Sequence, residues 1–302
     1  MIDAHTHVGD ISLFPDYFLD DLVDNITKQI PQQNARFEMI ARGMARSMLT
    51  DLDGKRHVAD MDLCGIERSV LLTVDLFFMD GQDADHSKIK KVHKAYYERF
   101  KKYPDRYILF AGIDPNRGKA GLEILEQCVE KYGFRGLKLY PPTGFDIDDK
   151  VVIPYYELCR YYKIPVYFHI GPSAEVMKKQ FRYPKSAINI VKKYPDINFI
   201  LGHAGILYQD ESIPIAMEYP NVYLEISGFQ RNLDNYNILK EKMEKLMRYI
   251  PDNIIFGTDW PLFTAKCPSE KSINIIRKIF GELKVDSGKL FHDNALKALR
   301  IE

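Results

Sequence analysis

Several features that mark particular classes of protein are missing from this sequence. Its 42 lysines and arginines balance 42 aspartates and glutamates, so no excess positive charge attracts nucleic acid or an anionic membrane. No apolar run approaches the roughly 20 residues that cross a bilayer. The first residues, MIDAHTHVGD, contain neither a basic leader nor a long apolar stretch. We therefore expect a cytoplasmic protein that binds neither nucleic acid nor membrane.

Cysteine is scarce, and its spacing carries no pattern. The four cysteines are widely separated and form no CxxC pair: Cys64, Cys128, Cys159 and Cys267. Such spacing excludes the disulfide framework of a small secreted domain, so we expect reduced and buried thiols.

Short apolar runs alternate with stretches of helical periodicity along the 302 residues, which indicates β-α units around a parallel sheet. The eight predicted strands are residues 1–7, 67–74, 107–113, 135–140, 164–170, 197–203, 221–226 and 253–258. The predicted helices between them are residues 88–103, 119–132, 152–162, 183–194, 235–249 and 269–280. An open doubly wound sheet would usually carry a glycine-rich phosphate turn, which is missing. The pattern predicts an α/β fold, a (β/α)8 TIM barrel that forms a single domain over residues 1–302.

Residues 9–56 interrupt this rhythm and form an insertion after the first strand. Because it follows a strand directly, it should emerge at the carboxyl-terminal face of the barrel, where active sites of this architecture lie. Two sets of apolar residues at helical spacing predict two amphipathic helices: Phe18, Leu22, Ile26 and Ile30, then Phe37, Ile40, Met44 and Met48. The insertion could cover the site, pack as an ordinary excursion or form a homodimer contact.

His5 and His7 flank Thr6 on the first strand. Alternate side chains of a strand share a face, so both imidazoles should point the same way, at a spacing that suits one metal ion. Two structural histidines would explain this triplet equally well, so its context has to decide.

Three further polar residues each end an apolar strand. His169 closes VYFHIG, His203 closes FILGHAG, and Asp259 closes IIFGTDWP. A single strand-end histidine is more often structural, and a single aspartate more often caps a loop. In a barrel, however, the carboxyl ends of the strands meet at one mouth, so the joint placement favours a single site.

Together, IDAHTH, YFHIG, GHAG and FGTDWP resemble the metal-dependent amidohydrolase superfamily, specifically its amidohydrolase-2 branch. The resemblance spans nearly the whole chain, because the terminal FHDNALKAL is similar to the closing helix of that branch. The branch includes lactonases, other hydrolases, hydratases and nonoxidative decarboxylases that act on carboxylated substrates. The resemblance therefore specifies one fold but leaves several reactions open.

The resemblance implies that one divalent metal ion, with Zn²⁺ as the expected ion, is bound by four residues: His5, His7, His169 and Asp259. His203 would stand beside the metal-bound water as general acid or base. Three neutral imidazoles and one carboxylate leave the ion a net positive charge, which lowers the pKa of bound water towards about 7. In decarboxylating relatives the same centre would hold substrate oxygens while His203 or Asp259 delivers a proton to carbon.

Three more charged residues belong to the predicted barrel strands. A carboxylated lysine on the fourth strand bridges two ions in binuclear relatives, but Lys138 lies two residues before the strand end. We expect it instead to be a buried or pocket cation that pairs with a substrate carboxylate or with Glu225. Glu225 should support a metal ligand, with an ion pair or a catalytic role as alternatives. Asp3 should share the face of His5 and orient an imidazole.

Substrate-binding residues are harder to identify. Four arginines could clamp a carboxylate, although solvated surface charge also explains them: Arg36, Arg42, Arg46 and Arg231. Three aromatic residues could wall a pocket or simply pack at the mouth: Tyr140, Trp260 and Phe263. The remaining histidines should be packing or surface residues: His57, His86, His93 and His292.

Three functions remain open from the sequence. The leading one is a hydrolase that directs a metal-activated water at an ester, lactone or amide bond of a small carboxylated substrate. The alternative is a metal-dependent nonoxidative decarboxylase (carboxy-lyase) of the same branch. The third is a scaffold barrel without catalysis, disfavoured because every position of the predicted site keeps a competent residue.

Overall fold

A computed structural model describes residues 1–10, 13–28, 35–79, 83–177 and 184–301. Eight strands are hydrogen-bonded in chain order, each parallel to the next. They are β1 (Ile2–Thr6), β2 (Arg68–Leu72), β3 (Tyr107–Gly112), β4 (Gly136–Leu139), β5 (Val166–His169), β6 (Phe199–Gly202), β7 (Val222–Glu225) and β8 (Ile254–Ile255). Ala4 N donates to Phe256 O at 2.9 Å and Asp259 N to His5 O at 2.8 Å, which joins the last strand to the first. The predicted α/β barrel, nearly closed, is confirmed.

Helices fill the connections between the strands. They are α1 (Asp16–Thr27), α2 (Ala35–Leu49), α3 (Lys55–Cys64), α4 (Ser87–Phe100), α5 (Gly118–Tyr132), α6 (Ile153–Tyr162), α7 (Ile188–Lys193), α8 (Ala204–Leu207), α9 (Gln209–Glu218), α10 (Tyr236–Tyr249), α11 (Ser269–Leu283) and α12 (Asn294–Leu299). Each described helix that the periodicity predicted is present, although Tyr183, the predicted start of one, lies outside the described residues. Within the described part of the chain, no helix is long and apolar enough to span a bilayer.

The sequence pattern missed both helices between β6 and β7, the short α8 and the longer α9. Pro214 lies inside α9, and the buried residues of α9 include the polar Gln209 and Ser212. The Ser212 hydroxyl donates to the carbonyls of Ala204 (2.8 Å) and Tyr208 (2.7 Å), which compensates for burying it. A helix that buries polar side chains lacks the apolar stripe that reveals a helix in a sequence.

Two apolar layers hold the barrel together. The larger lies between the strands and the surrounding helices. The smaller gathers alternate strand residues such as Val70, Phe110 and Ile200 with Ala298 and Leu299 of α12. Because the strands bury both faces, they read as continuous apolar runs in the sequence. All four cysteines are free and buried in this interior, as expected.

A bulge in β1 changes which residues share a face. Ile2 and Asp3 pair with Arg68 and Ser69, whereas Thr6 pairs with Leu71, so β1 contains one extra residue before Thr6. A bulge of this kind redirects the side chains that follow it. The prediction that Asp3 orients an imidazole is therefore wrong.

The Asp3 carboxylate instead binds the segment that leads to Asp259. It accepts hydrogen bonds from the backbone N–H of His5 (3.1 Å) and Thr258 (3.0 Å) and from the Thr258 hydroxyl (2.6 Å). These bonds fix the backbone on which two of the predicted metal ligands lie.

The insertion forms the two predicted helices, but only part of the apolar stripe of α2 is covered. Phe37, Ile40 and Met44 of that stripe are 45%, 49% and 51% exposed, whereas Met48 is partly buried. The apolar cluster between the helices contains Leu19, Val23, Ile26, Ala45 and Leu49. A small alanine at the contact lets two helix backbones approach closely, which the longer side chains would prevent. Ile30 lies outside the described residues, and a homodimer formed through the insertion stays a prediction.

Two of the arginines considered as carboxylate clamps instead join the helices of the insertion. Arg42 pairs with Asp24, and Arg46 Nη2 lies 2.7 Å from Asp20 Oδ1. Both arginines therefore form ion pairs between α1 and α2 instead of pointing into the barrel mouth.

Arg117 ties the loop after β2 to the segment after β3. Its guanidinium is buried, and it contacts Asp75 (2.6 Å) and Asp83 (2.8 Å) and lies 4.7 Å from the Phe78 ring centroid. Asp75 and Asp83 are buried with this single guanidinium, so their negative charges depend on it for compensation.

Arg117→Met should lower the free energy of unfolding by about 3–5 kcal/mol, because it leaves two buried carboxylates without a cation. Arg160→Met is the matched control, since Arg160 and its partner Asp196 are 56% and 49% exposed and exposed pairs contribute about 0–1 kcal/mol. Urea denaturation of both variants measures the difference. Equal losses would contradict the structural role of Arg117.

Candidate metal centre and active site

The two amino-terminal histidines and Asp259 converge at the carboxyl-terminal mouth of the barrel. His5 Nε2 and His7 Nε2 are 3.2 Å apart. Asp259 Oδ1 lies 3.5 Å from His5 Nε2 and 3.4 Å from His7 Nε2. Residues from opposite ends of the sequence therefore direct three acceptor atoms at one point.

These spacings fit a bound cation. Ligand atoms about 2.1 Å from a tetrahedral ion lie about 3.4 Å from each other. Asp259 Oδ1 is buried and has no hydrogen-bond partner in the described residues. A buried carboxylate oxygen facing two imidazole lone pairs needs a positive charge between them, so the donor set suits a divalent metal ion.

Hydrogen bonds on the far side of each ring fix which nitrogen faces the cluster. His5 Nδ1 lies 2.9 Å from Glu225 Oε2, and His7 Nδ1 lies 3.0 Å from the Leu72 carbonyl. Both partners are acceptors, so each Nδ1 carries the proton and each Nε2 presents a lone pair. Metal-binding histidines in proteins are oriented in this way.

Glu225, the last residue of β7, connects three parts of the site, as its expected supporting role requires. Besides His5, its Oε2 accepts from the backbone N–H of His203 at 3.1 Å and from the Ser227 hydroxyl at 2.8 Å. Its Oε1 accepts from the backbone N–H of Ser227.

Ser227 is the functional residue that sequence reasoning missed. Its Oγ lies 2.8 Å from His203 Nδ1 and 3.1 Å from His5 Nδ1, so it contacts both rings. The available signal was its position two residues beyond Glu225 at a strand end, in EISG.

His203 and His169 contact each other beside this cluster. His203 Nε2 lies 3.3 Å from His169 Nδ1, and His169 Nε2 lies 3.2 Å from the Pro172 carbonyl. Ligand atoms of His5, His203 and Asp259 all lie within 4.8 Å of one another. The structure thus brings all five predicted residues together, with His169 connected to the cluster through His203.

The backbone is strained at two of these five residues. His203 has φ 66° and Asp259 has φ 57°, which is the left-handed region that non-glycine residues rarely adopt. His203 directly follows β6 and Asp259 lies four residues beyond the end of β8, so each turns the chain just after a strand and presents its side chain to the mouth. Such conformations cluster at functional sites.

Burial keeps the imidazoles of the site neutral. It lowers the pKa of His7 to about 4 and that of His169 to about 3, with the positive charge of Lys138 acting in the same direction. Burial likewise holds the pKa values of His5 and His203 well below their usual range. Neutral imidazoles have the lone pairs that metal binding requires.

Lys138 points into the same cavity from β4. Its Nζ is buried, lies 4.3 Å from the Tyr167 ring centroid, and has no hydrogen-bond partner in the described residues. Burial lowers the pKa of Lys138 to about 7, against the opposing charges of Asp259 and Glu225. Lys138 is thus a pocket cation, as expected, but it forms no hydrogen bond with Glu225.

The cavity above the cluster is apolar on its other sides. Besides His7, Lys138, His169, His203 and Asp259, its lining residues are Phe14, Phe18, Leu19, Leu22, Leu49, Val74, Tyr140 and Leu262. The roof is therefore formed largely by α1 and the chain around it. The Tyr17 hydroxyl donates to the Leu76 carbonyl at 2.5 Å, which fastens α1 to the loop after β2.

The aromatic residues proposed as pocket walls have different positions. Tyr140 lines the inner cavity, whereas Phe263 lines the outer mouth beneath the guanidinium of Arg231, at 5.3 Å from its ring centroid. Trp260 packs against His57, with 4.5 Å between ring centroids, and belongs to the barrel wall.

The other histidines lie where packing or surface residues are expected. His57 and His93 are buried, whereas His86 and His292 are half-buried. His57 Nδ1 lies 3.0 Å from the Tyr107 hydroxyl and His86 Nδ1 lies 2.9 Å from Arg117, so both take part in structural contacts.

Comparison with known proteins gives relatives of two kinds. The chain is 25% identical, over 271 residues, to a gamma-resorcylate decarboxylase of Polaromonas sp., which covers 72% of this chain and 79% of that one. The fold is similar to that of 5-carboxyvanillate decarboxylase from Novosphingobium aromaticivorans, a structure with bound manganese, at TM-score 0.70 and 16% identity over 99% and 97% of the two chains. It is also similar to a probable 2-pyrone-4,6-dicarboxylic acid hydrolase of Acinetobacter baumannii, at TM-score 0.62 and 13% identity over 99% of each chain.

The family model described as amidohydrolase matches residues 2–301, which is almost the entire chain. The match includes all five residues of the candidate site and Glu225, Ser227 and Lys138 around it. The chain therefore belongs to the amidohydrolase family and is an enzyme of its amidohydrolase-2 branch.

Proposed function

We propose that this protein is a divalent-metal-dependent carboxy-lyase that releases carbon dioxide from a small aromatic acid, with residues 1–302 acting as a single domain. The apolar cavity with its polar groups gathered on one side carries the proposal. The named decarboxylases among the relatives support it. Hydrolysis, expected first from the sequence, is favoured less, because the named sequence relative is a decarboxylase.

The shape and polarity of the cavity suit decarboxylation. A carboxylate leaves as neutral carbon dioxide, so surroundings with few polar groups favour the product over the charged reactant. The roof contributed by Phe14, Phe18 and Leu22 restricts water at the reacting carbon, and water is the co-substrate of a hydrolase. A flat ring would contact these apolar side chains while its acidic group faces the histidines.

We assign the metal-binding role to four residues, as the resemblance implies: His5, His7, His169 and Asp259. When bound, a divalent ion supplies positive charge that holds substrate oxygens and stabilises negative charge developing on them. Manganese in a relative and the imidazole and carboxylate donors here are both consistent with a divalent ion, and Zn²⁺ remains an expectation. The hydrogen bond from His5 to Glu225 would keep the ligand ring in place.

We assign proton transfer to His203. The bond between the ring carbon and the carboxyl carbon breaks, its electron pair stays on the ring, and His203, neutral at rest, takes up a proton from solvent at Nε2 and passes it to the ring carbon in place of carbon dioxide. The Ser227 hydroxyl, 2.8 Å from His203 Nδ1, would orient the ring so that Nε2 faces the cavity. Asp259, which the resemblance also offers as a donor, would act here as a ligand.

Turnover assays separate the candidate reactions. With metal-loaded protein in D₂O we expect 2,6-dihydroxybenzoate, 5-carboxyvanillate or a related aromatic acid to release carbon dioxide and give a product with one deuterium on the ring carbon that carried the carboxyl group. Mass spectrometry of the product and carbon dioxide detection measure this. Acid release from lactones or N-acyl compounds without carbon dioxide would instead establish a hydrolase, and no turnover of any compound would favour the scaffold hypothesis.

Metal binding is expected to stabilise the folded chain, because the ligands converge only in the native state. Chelator-treated protein should show a higher unfolding temperature when Mn²⁺ or Zn²⁺ is added, as measured by differential scanning fluorimetry. His7→Asn should abolish the shift, whereas His292→Asn, at a half-buried position whose side chain contacts Asp293 rather than the cluster, should retain it. A full shift in His7→Asn would remove His7 from the ligand set.

Substitution of the two neighbouring histidines separates ligand from proton donor. His169→Ala should lose metal during purification, as measured by inductively coupled plasma mass spectrometry. His203→Ala should retain metal but lose turnover by about 10²–10⁴-fold, the usual contribution of a general acid. The reverse result would make His203 the ligand and His169 the proton donor. The test is needed because ligand atoms of His203 lie close to those of His5 and Asp259.

A further inference from the structure

Lys138 has no part in holding the ion or in moving the proton as proposed above. Its side chain is 1% exposed, and Nζ has no hydrogen-bond partner in the part of the chain that the structure describes. A buried amine without partners destabilises the fold, so its presence in the lining of a cavity indicates a ligand that completes its hydrogen bonds.

The position of Lys138 identifies the kind of ligand. The amine lines the same cavity as His7, His169 and His203, so it lies close to the histidine cluster. A lysine ammonium and a divalent cation repel each other across such a small cavity. An anion between them would be attracted to both charges, and the three donors of Nζ match a negatively charged oxygen.

We propose that Lys138 binds an anionic oxygen of the substrate and thereby sets the preference of the cavity for acidic ligands. The inference rests on the proposed function for the identity of the reaction, but the binding role itself does not require turnover. Two groups on an aromatic acid could supply the oxygen, namely the carboxylate and an acidic ring hydroxyl.

Tyr167 would hold the amine in position for this role. Lys138 and Tyr167 are register partners on β4 and β5, and the tyrosine ring lies under Nζ at 4.3 Å. The face of an aromatic ring attracts a cation but offers no lone pair, so the hydrogen bonds of Nζ remain available to a ligand. The Tyr167 hydroxyl itself contacts His5 Nδ1 at 3.0 Å.

Ligand binding to Lys138→Met tests the proposal, because methionine keeps the length of the side chain and removes its charge and donors. Isothermal titration of metal-loaded protein would use benzoate for the carboxylate, 2-nitroresorcinol for the acidic hydroxyl and benzamide as a neutral ring. We expect the variant to bind at least one anion about 10-fold or more weakly, while benzamide affinity changes less than about twofold. The anion that weakens identifies which oxygen Lys138 binds.

A stability measurement on the same variant excludes a purely structural role. In metal-loaded protein without substrate, where the ion rather than Lys138 would offset the charges of Asp259 and Glu225, replacing the unpartnered amine by an apolar side chain should raise the unfolding temperature by about 2 °C or more. A lysine that supports the fold would give a lower unfolding temperature. Arg135→Met, an exposed position just before the same strand, is the matched control and should alter neither anion binding nor the unfolding temperature.

Four results would overturn the inference: unchanged anion affinity in Lys138→Met, equal weakening of benzamide, a fall in unfolding temperature, or wild-type protein that binds neither anion. Weakening in Arg231→Met with Lys138→Met unaffected would assign anion recognition to the outer mouth instead, where Arg231 lies over Phe263. Each readout is independent of the carbon dioxide assay, so failure of the proposed reaction and failure of this role can be distinguished.

Discussion

The buried carboxylate of Glu225 is the interaction on which the rest of the site depends. One oxygen accepts from the His5 ring on β1, the His203 backbone after β6 and the Ser227 hydroxyl after β7. A carboxylate without solvent is tolerated only when several donors surround it, and here those donors come from three separate strands. The requirement to satisfy one charge therefore fixes the relative positions of residues that are distant in the chain.

The hydrogen bonds at the strand ends also leave the acceptor atoms of the site facing one another, in an arrangement that suits a cation. Because Glu225 accepts a hydrogen bond from His5 Nδ1–H, Nε2 is left as an acceptor, and the Leu72 carbonyl does the same for His7. Asp259 enters the group from a left-handed backbone position that Asp3 and Thr258 stabilise. Acceptors face one another because the surrounding hydrogen bonds allow no other arrangement of these rings.

Much of this could be predicted from the sequence, because strand ends in a parallel barrel necessarily meet. The apolar runs located all eight strands, and the polar residues at their ends located His5, His7, His169, His203 and Asp259. The prediction for Asp3 was wrong, since strict alternation cannot reveal a bulge. The sequence also could not show which residues of α2 meet α1, because the close helix contact is made by Ala45 rather than by most of the larger residues. Ser227 was missed, since its role depends on contacts across the barrel.

The cavity combines parts of two origins. Its floor consists of strand-end residues such as His203 and Lys138, whereas its roof comes mainly from the insertion, with Phe14, Phe18 and Leu22. The insertion has its own apolar cluster, in which α1 packs on α2. Consequently, changes confined to α1 could broaden or narrow the range of accepted compounds during evolution or engineering, while the reacting groups below stay untouched.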